Sequence, residues 1–294
     1  MTIPLKKPLS YEDQIKNLRE KHGLIVEDDA EGIRILQRVN YYRLRAYALG
    51  LESPKDRERY CSGISLNHIY RLYCFDSLLR GLIWPLLEEI EIELRTNMAY
   101  HLAMTYGADG YMDVHNFHDT INKNGKSVHA ETIEKFHTEV KRRESLPCVK
   151  HHMEEYGGRF PAWAAVELFS FGMLSSLYSV MKRTDQNVVA SRYRTTQYYL
   201  YGWIRALVEV RNICAHSGRI YNMPLQQSPM MYEEEKQYNN QRIFPVLIVM
   251  HRMLNGRKSW RTFYESLCGL MDEYPEVVLQ RIGFPEEWRD ILKP

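Results

Sequence analysis

Residues 65–106 read SLNHIYRLYCFDSLLRGLIWPLLEEIEIELRTNMAYHLAMTY, and this stretch decides the fold. Its apolar residues Leu72, Phe75, Leu79, Leu82, Leu86, Ile90, Leu94, Met98 and Leu102 recur every three or four positions. That is the period of one face of an α-helix. Pro85 interrupts the pattern and predicts a kink, because proline lacks the N–H and crowds the preceding turn. At about 100° per residue, Asp76, Arg80, Glu91 and Arg95 fall in one sector beside the stripe. Asp76/Arg80 and Glu91/Arg95 are each spaced as i,i+4 ion pairs.

Helical signals continue on both sides. Ser10 can cap a helix ending near Gly23, and Asp28 with Glu31 has the form of a capping box. A loop is expected over 50–63. Downstream, the patterns predict a short helix near 129–143, then helices at 162–181, 196–217, 242–254 and 260–272. No run alternates with a strand's period of two. The expected architecture is all-α: an antiparallel helical bundle over 65–222, with an N-terminal helical segment over 1–64 and a C-terminal helical section over 223–294 packed on it.

Composition narrows the function classes. The 294 residues are 45% hydrophobic and 26% charged, ordinary for a folded domain. The 39 basic and 37 acidic residues leave a net charge of +2, too even for bulk attraction to nucleic acid. Any anionic partner must meet a local patch. The five cysteines, Cys61, Cys74, Cys148, Cys214 and Cys268, form no C-x-x-C pair, which favours a reducing compartment. The start, MTIPLKKPLSYEDQ, has no apolar leader segment. These features predict a cytoplasmic protein. Residues 160–181 are long enough to span a bilayer, but Pro161, Gly172 and several polar side chains favour a buried core helix. His115-x-x-His118 and His151-His152 lack further ligands for zinc. No motif for a metal, nucleotide or other cofactor is present, so none is expected.

The segment EVRNICAHSG at 209–218 carries the densest chemistry. It closes a helix whose core face is Leu200, Trp203, Leu207, Val210 and Cys214. The opposite face holds Arg205, Glu209, Asn212 and His216. Arg211 and His216 lie about 140° apart on a regular helix, so they do not share a face. Either the helix is irregular, or the arginine wraps round, or a second copy supplies the partner. Read alone, His216 is a helix-end histidine interacting with the dipole.

Six blocks, in order, resemble the Abi-like abortive-infection proteins (the AbiD/AbiF type) of the HEPN superfamily of all-α ribonucleases and nucleotide-binding domains. They are Asn40-Tyr41-Tyr42-Arg43-Leu44, Tyr73-x-Phe75-Asp76-x-x-Leu79-Arg80, Ile90-Glu91-x-x-Leu94-Arg95, Trp163-x-x-x-Glu167-Leu168-x-Ser170-Phe171-Gly172, Val210-Arg211-Asn212-Ile213-Cys214-Ala215-His216-Ser217-Gly218-Arg219 and Gly283-Phe284-Pro285-Glu286-Glu287-Trp288. The chain departs from the pattern at Pro85 and at Ser217, where such proteins frequently carry a second histidine.

The resemblance implies a HEPN-like bundle and metal-independent RNA cleavage that leaves a 2′,3′-cyclic phosphate and a 5′-OH. His216 would carry the proton, Arg211 would stabilise phosphorane charge, and Asn212 would orient one of them. It also implies a homodimer with a composite cleft, and a phage-defence toxin silenced by a non-coding RNA or protein antitoxin. RNA-contact candidates are Glu91, Arg95, Arg205, Arg219, Tyr42 and Arg43. Other readings stay open beside these. Glu91/Arg95 would also serve as a plain intrahelical pair, and the tyrosine-arginine run 41–47 as core packing. His101 fits packing as well as a site. An RNA-binding module without catalysis would use the same cleft. HEPN domains also pair with nucleotidyltransferases, which makes Tyr221 a candidate for modification.

Overall fold

The computed structural model describes Leu5 and residues 7–294. Residues 1–4 and 6, where the leader reading and the 1–64 segment begin, lie outside the described residues. The chain is all-α; among the described residues the only β pairing is isolated bridges such as Ile25 with Ser65. Three short helices come first: α1 (Tyr11–Glu20), α2 (Asp29–Arg38) and α3 (Tyr41–Tyr47). Ser10 caps α1 by accepting from the Asp13 N–H at 3.1 Å. Asp28 caps α2 through the Ala30 N–H at 2.8 Å. No full capping box forms there, because Glu31 turns to Arg34 at 2.6 Å instead.

Next comes α4 (Leu66–Tyr106), a rod of 41 residues, about 60 Å long at 1.5 Å per residue. Ser65 caps its start and Gly107, at φ +87°, ends it. The helix runs on through Pro85. Pro85 and Gly81 lie on the exposed side. The Gly81 carbonyl, which loses its donor to proline, can therefore take water instead. The apolar stripe is buried along the rod apart from half-buried Leu82.

The remaining helices pack on this rod or on one another. They are α5 (Val128–Arg142), α6 (Pro147–Glu155), α7 (Ala162–Ala165), α8 (Phe171–Val180), α9 (Arg183–Ser191), α10 (Gln197–Ala215), α11 (Ile243–Leu254), α12 (Lys258–Glu273), α13 (Leu279–Ile282) and α14 (Trp288–Leu292). α3, α7, α9, α10 and α12 all pack on α4. One continuous core runs through all three parts of the chain and includes Ile15, Tyr47, Phe75, Trp203 and Trp260. The single helix expected over 162–181 is corrected to two. Phe169 adopts an extended backbone and Ser170 caps a fresh start, accepting from the Met173 N–H at 3.2 Å. A serine hydroxyl that competes for a backbone N–H is what breaks the run. Among the described residues no helix is long and apolar enough to cross a membrane.

One buried carboxylate ties distant parts together. Asp76 is 0% exposed. It pairs with Arg80 on its own helix and accepts from the Tyr47 hydroxyl at 2.8 Å. It also accepts from the backbone N–H groups of Ile220 at 2.9 Å and Tyr221 at 2.6 Å. Its carboxyl pKa is raised on balance by burial, against the lowering pull of Arg80, the Tyr47 hydroxyl and the two N–H donors. With Arg80 and three other donors directed at it, we assign the ionised form. Replacing Asp76 by Asn would leave the Arg80 guanidinium buried without a counter-charge. Asp76→Asn is therefore expected to cost about 3–5 kcal/mol in denaturant unfolding. Breaking the exposed Glu233–Lys236 pair by Glu233→Gln should cost under about 1 kcal/mol.

Candidate functional site

α10 is built to present its last turn. Leu200, Trp203, Leu207 and Val210 are buried along its core face, and Cys214 is half-buried. Gly202 lets the 223–242 segment close over the helix; a Cβ there would sit 2.3 Å from the Met230 side chain. Trp203 then donates its indole N–H to the Met230 carbonyl at 2.7 Å. Burial pushes the Cys214 thiol up to about 12, so it stays protonated at neutral pH and is no nucleophile.

The helix ends in a Schellman arrangement. The Gly218 N–H donates to the Ile213 carbonyl at 2.7 Å, and the Ser217 N–H to the Cys214 carbonyl at 3.2 Å. Ser217 takes the left-handed position at φ +51°, a place usually given to glycine. A Cβ on Gly218 would lie 3.2 Å from the Ile213 carbonyl oxygen. His216 is the C-cap residue. It is exposed, and among the described residues its imidazole has no hydrogen-bond or ion-pair partner.

The chain beyond His216 is clamped from the N-terminal side. Arg43 donates to the Ser217 carbonyl at 2.6 Å. Arg219 donates to the Ala46 carbonyl, and burial lowers its pKa. Asn222 donates to the Leu49 carbonyl at 3.0 Å, and Asp76 holds the N–H groups of residues 220 and 221. Two of the sequence's RNA-contact candidates, Arg43 and Arg219, thus hold the loop that follows His216. Tyr42, beside Arg43, is 84% exposed. Tyr221 is 1% exposed. Its burial corrects the reading of that hydroxyl as a modification site.

Arg211 sits apart from the imidazole. Its Nε–H donates to Glu91 at 3.3 Å and an Nη–H reaches the Asn212 side-chain Oδ1 at 3.5 Å. Its guanidinium carbon lies 5.8 Å from the centre of the Trp84 ring. Glu91 is buried and bridges Arg211 to Arg95, whose other N–H donates to the Val166 carbonyl at 2.6 Å. These groups surround a cavity of about 180 Å³, with Glu88 and Glu167 at its mouth. On the other side of the α10 turn, Arg205 and Asn212 line an open groove of about 580 Å³ with Ser175 and Gln227. Glu209 does not face it freely, since its oxygens accept from the N–H groups of Gln226 at 2.8 Å and Gln227 at 2.6 Å.

The structure therefore brings together Glu91, Arg95 and Arg211 in one cavity, and Arg205 and Asn212 in another. His216 lines neither. His101 takes its packing role, bonded to buried Asp185 at 2.9 Å and so joining α4 to α9. Sequence reasoning missed Trp84 and Glu167 as neighbours of Arg211. Trp84 lies two helical turns before Glu91, so it shares that face. Among the described residues no three His, Cys, Asp or Glu side chains converge as metal ligands.

Among known proteins, the family model described as Abi-like protein matches residues 34–222, more than half of the chain. No curated protein and no solved structure matches. The matched span contains the Arg43 clamp, the Asp76 knot, the Glu91 bridge and the α10 terminus. Such membership points to abortive infection, a phage-defence response, and the chain belongs to the Abi-like protein family.

Proposed function

We propose that this protein is a metal-independent endoribonuclease of the HEPN type, acting as a toxin in phage defence. The observation that carries the reading is the state of His216: an exposed imidazole with no partner among the described residues, at the end of α10 beside a clamped loop, five residues after Arg211. A free imidazole is the group that exchanges a proton near neutral pH.

In the proposed reaction the ribose 2′-OH gives its proton to a His216 imidazole, and its oxygen bonds to the adjacent phosphorus. The bond from phosphorus to the 5′-oxygen breaks, and a second imidazole protonates the leaving oxygen. The products are a 2′,3′-cyclic phosphate and a 5′-OH. Arg211 meets the charge on the non-bridging oxygens. Asn212, bonded to Arg211, orients its fork.

Two copies complete the site in this reading. Within one chain Arg211 faces α4 and His216 lines no cavity with it. Face-to-face dimerisation would supply each guanidinium with an imidazole. The exposed side of α4 next to Arg211 offers apolar surface for that contact at Trp84 and Ile92. Phosphate has to compete with Glu91 for Arg211, a natural point for an antitoxin RNA or protein to act.

Purified protein with total RNA and excess chelator should yield fragments with 2′,3′-cyclic phosphate ends. His216→Ala should lower the rate at least about a hundredfold, as loss of a general base does. Binding without cleavage by the unaltered chain would instead make this an RNA-binding protein. Titrating His216→Ala chains into unaltered ones separates the architectures. Activity should fall with the square of the unaltered fraction if both imidazoles are needed, and linearly if each chain works alone.

A further inference from the structure

A larger cavity, of about 670 Å³, lies between the chain just after α4, the end of α6 and the start of α7. Its size falls in the range of small-molecule sites, roughly 300–1,000 Å³. Ring systems make its walls. Trp163 is 59% exposed and Tyr156 is exposed beside it, while Phe160 is buried behind His152. His152 and Phe160 are stacked, with ring centres 4.8 Å apart and planes 14° from parallel. Exposed tryptophan and tyrosine rings in a concave site offer flat faces to another ring.

The cavity holds acceptors in the carboxylates of Asp109 and Glu155, and donors in Arg159, the Tyr156 hydroxyl and the rings of His151 and His152. The His152 Nδ1–H donates to the Cys148 carbonyl at 2.8 Å. A carbonyl can only accept, so Nδ1 carries the hydrogen in this bond. Glu155 has no hydrogen-bond or ion-pair partner among the described residues. The one guanidinium, Arg159, spends one Nη group on Asp109 and keeps its other N–H groups exposed. The walls are tied in place: the Ala162 N–H donates to the Ala108 carbonyl at 2.7 Å, and the Tyr111 hydroxyl to the Phe160 carbonyl at 2.9 Å.

Flat walls and a free carboxylate select a planar ring with donors on its edge. Among the four RNA bases, guanine alone puts two adjacent donors, N1–H and N2–H₂, on its pairing edge. One carboxylate can accept both. Stacking and edge recognition are how single-stranded RNA bases are read. The cavity also adjoins the arginine cluster through one short segment. Trp163 opens α7, and the next turn provides Val166, which binds Arg95, and Glu167, at the mouth of the Arg211 cavity.

We propose that this cavity is a base-reading pocket that takes a guanine of single-stranded RNA, stacked on Trp163 with its donor edge on Glu155. The proposal rests on the RNA reading above, but its test needs no cleavage. Binding of the 5′-monophosphates of guanosine, adenosine, cytidine and uridine to the full-length protein is measured by equilibrium dialysis, a readout that does not depend on Trp163 itself. Guanosine monophosphate should bind at least about tenfold tighter than the others, the discrimination of one bidentate edge contact. Glu155→Gln should erase that preference, and Trp163→Ala should abolish the binding. Both side chains are exposed, so both variants should keep the unaltered melting temperature. Equal affinity for all four nucleotides, or binding unchanged in either variant, overturns the proposal. So does displacement of the nucleotide by tetramethylammonium, which would make the rings a cage for a cationic partner. Cleavage that persists in such a case leaves the nuclease reading standing, while nucleotide binding without any cleavage leaves the pocket standing alone.

Discussion

The Asp76 carboxylate is the constraint on which the rest of the site depends. A charge removed from water is tolerated only if donors replace the solvent. Here Arg80, the Tyr47 hydroxyl and two backbone N–H groups at 220 and 221 do so. The donors come from α3, α4 and the chain after α10. Satisfying one charge therefore fixes three regions against each other. A chain that failed to bring residues 220–221 back onto α4 would leave buried acceptors unpaired, at a cost of order 1–3 kcal/mol for each. The return path of the chain past His216 is thus set by the electrostatics of a residue far from it in sequence.

That constraint explains a local oddity. Ser217 occupies a left-handed backbone position, which costs a non-glycine residue of order 1–2 kcal/mol. The cost is met by contacts on both sides of it. Ser217 gives its carbonyl to Arg43, and Gly218 closes onto the Ile213 carbonyl. The consequence is a short, rigid exit from α10, with His216 the last residue before the turn. Its imidazole is left to solvent while the backbone around it is held at four points. A mobile helix end would add backbone motion to the side chain's own rotations, and the held backbone limits the first of these.

The helical class was legible because the 65–106 stripe is long, and a long period overrides local noise. Asp76, Arg80, Glu91 and Arg95 were placed in one sector by angle alone, and they form the Asp76/Arg80 and Glu91/Arg95 pairs. What the period cannot carry is where a hydroxyl or guanidinium finds its partner across the fold. Ser170 splits an apolar run because its side chain caps a new start, a competition that no hydrophobic count records. The letters of Arg43 and Arg219 suggest phosphate contacts and say nothing of a partner within the chain. Only tertiary contact shows that both hold carbonyl groups of the opposing segment. The tyrosine run divides by the same logic, with Tyr47 buried on Asp76 and Tyr42 left in water.

The same distinction separates the two arginines on Glu91. Arg95 is the more buried, with a side chain 13% exposed against 28% for Arg211. Its two Nη groups are spent on the Val166 carbonyl and on Glu91. Arg211 spends Nε on Glu91 and makes one long contact to Asn212, so its second Nη group has no partner among the described residues. A guanidinium offers five N–H donors in a rigid fork. One arginine therefore braces the carboxylate, and the other is oriented by it with donors to spare. Trp84 covers one side of that fork, leaving the approach past Glu88 and Glu167. Those two acids are exposed, and solvent screens them more than it screens buried Glu91. An anion reaching Arg211 competes chiefly with a single shared carboxylate.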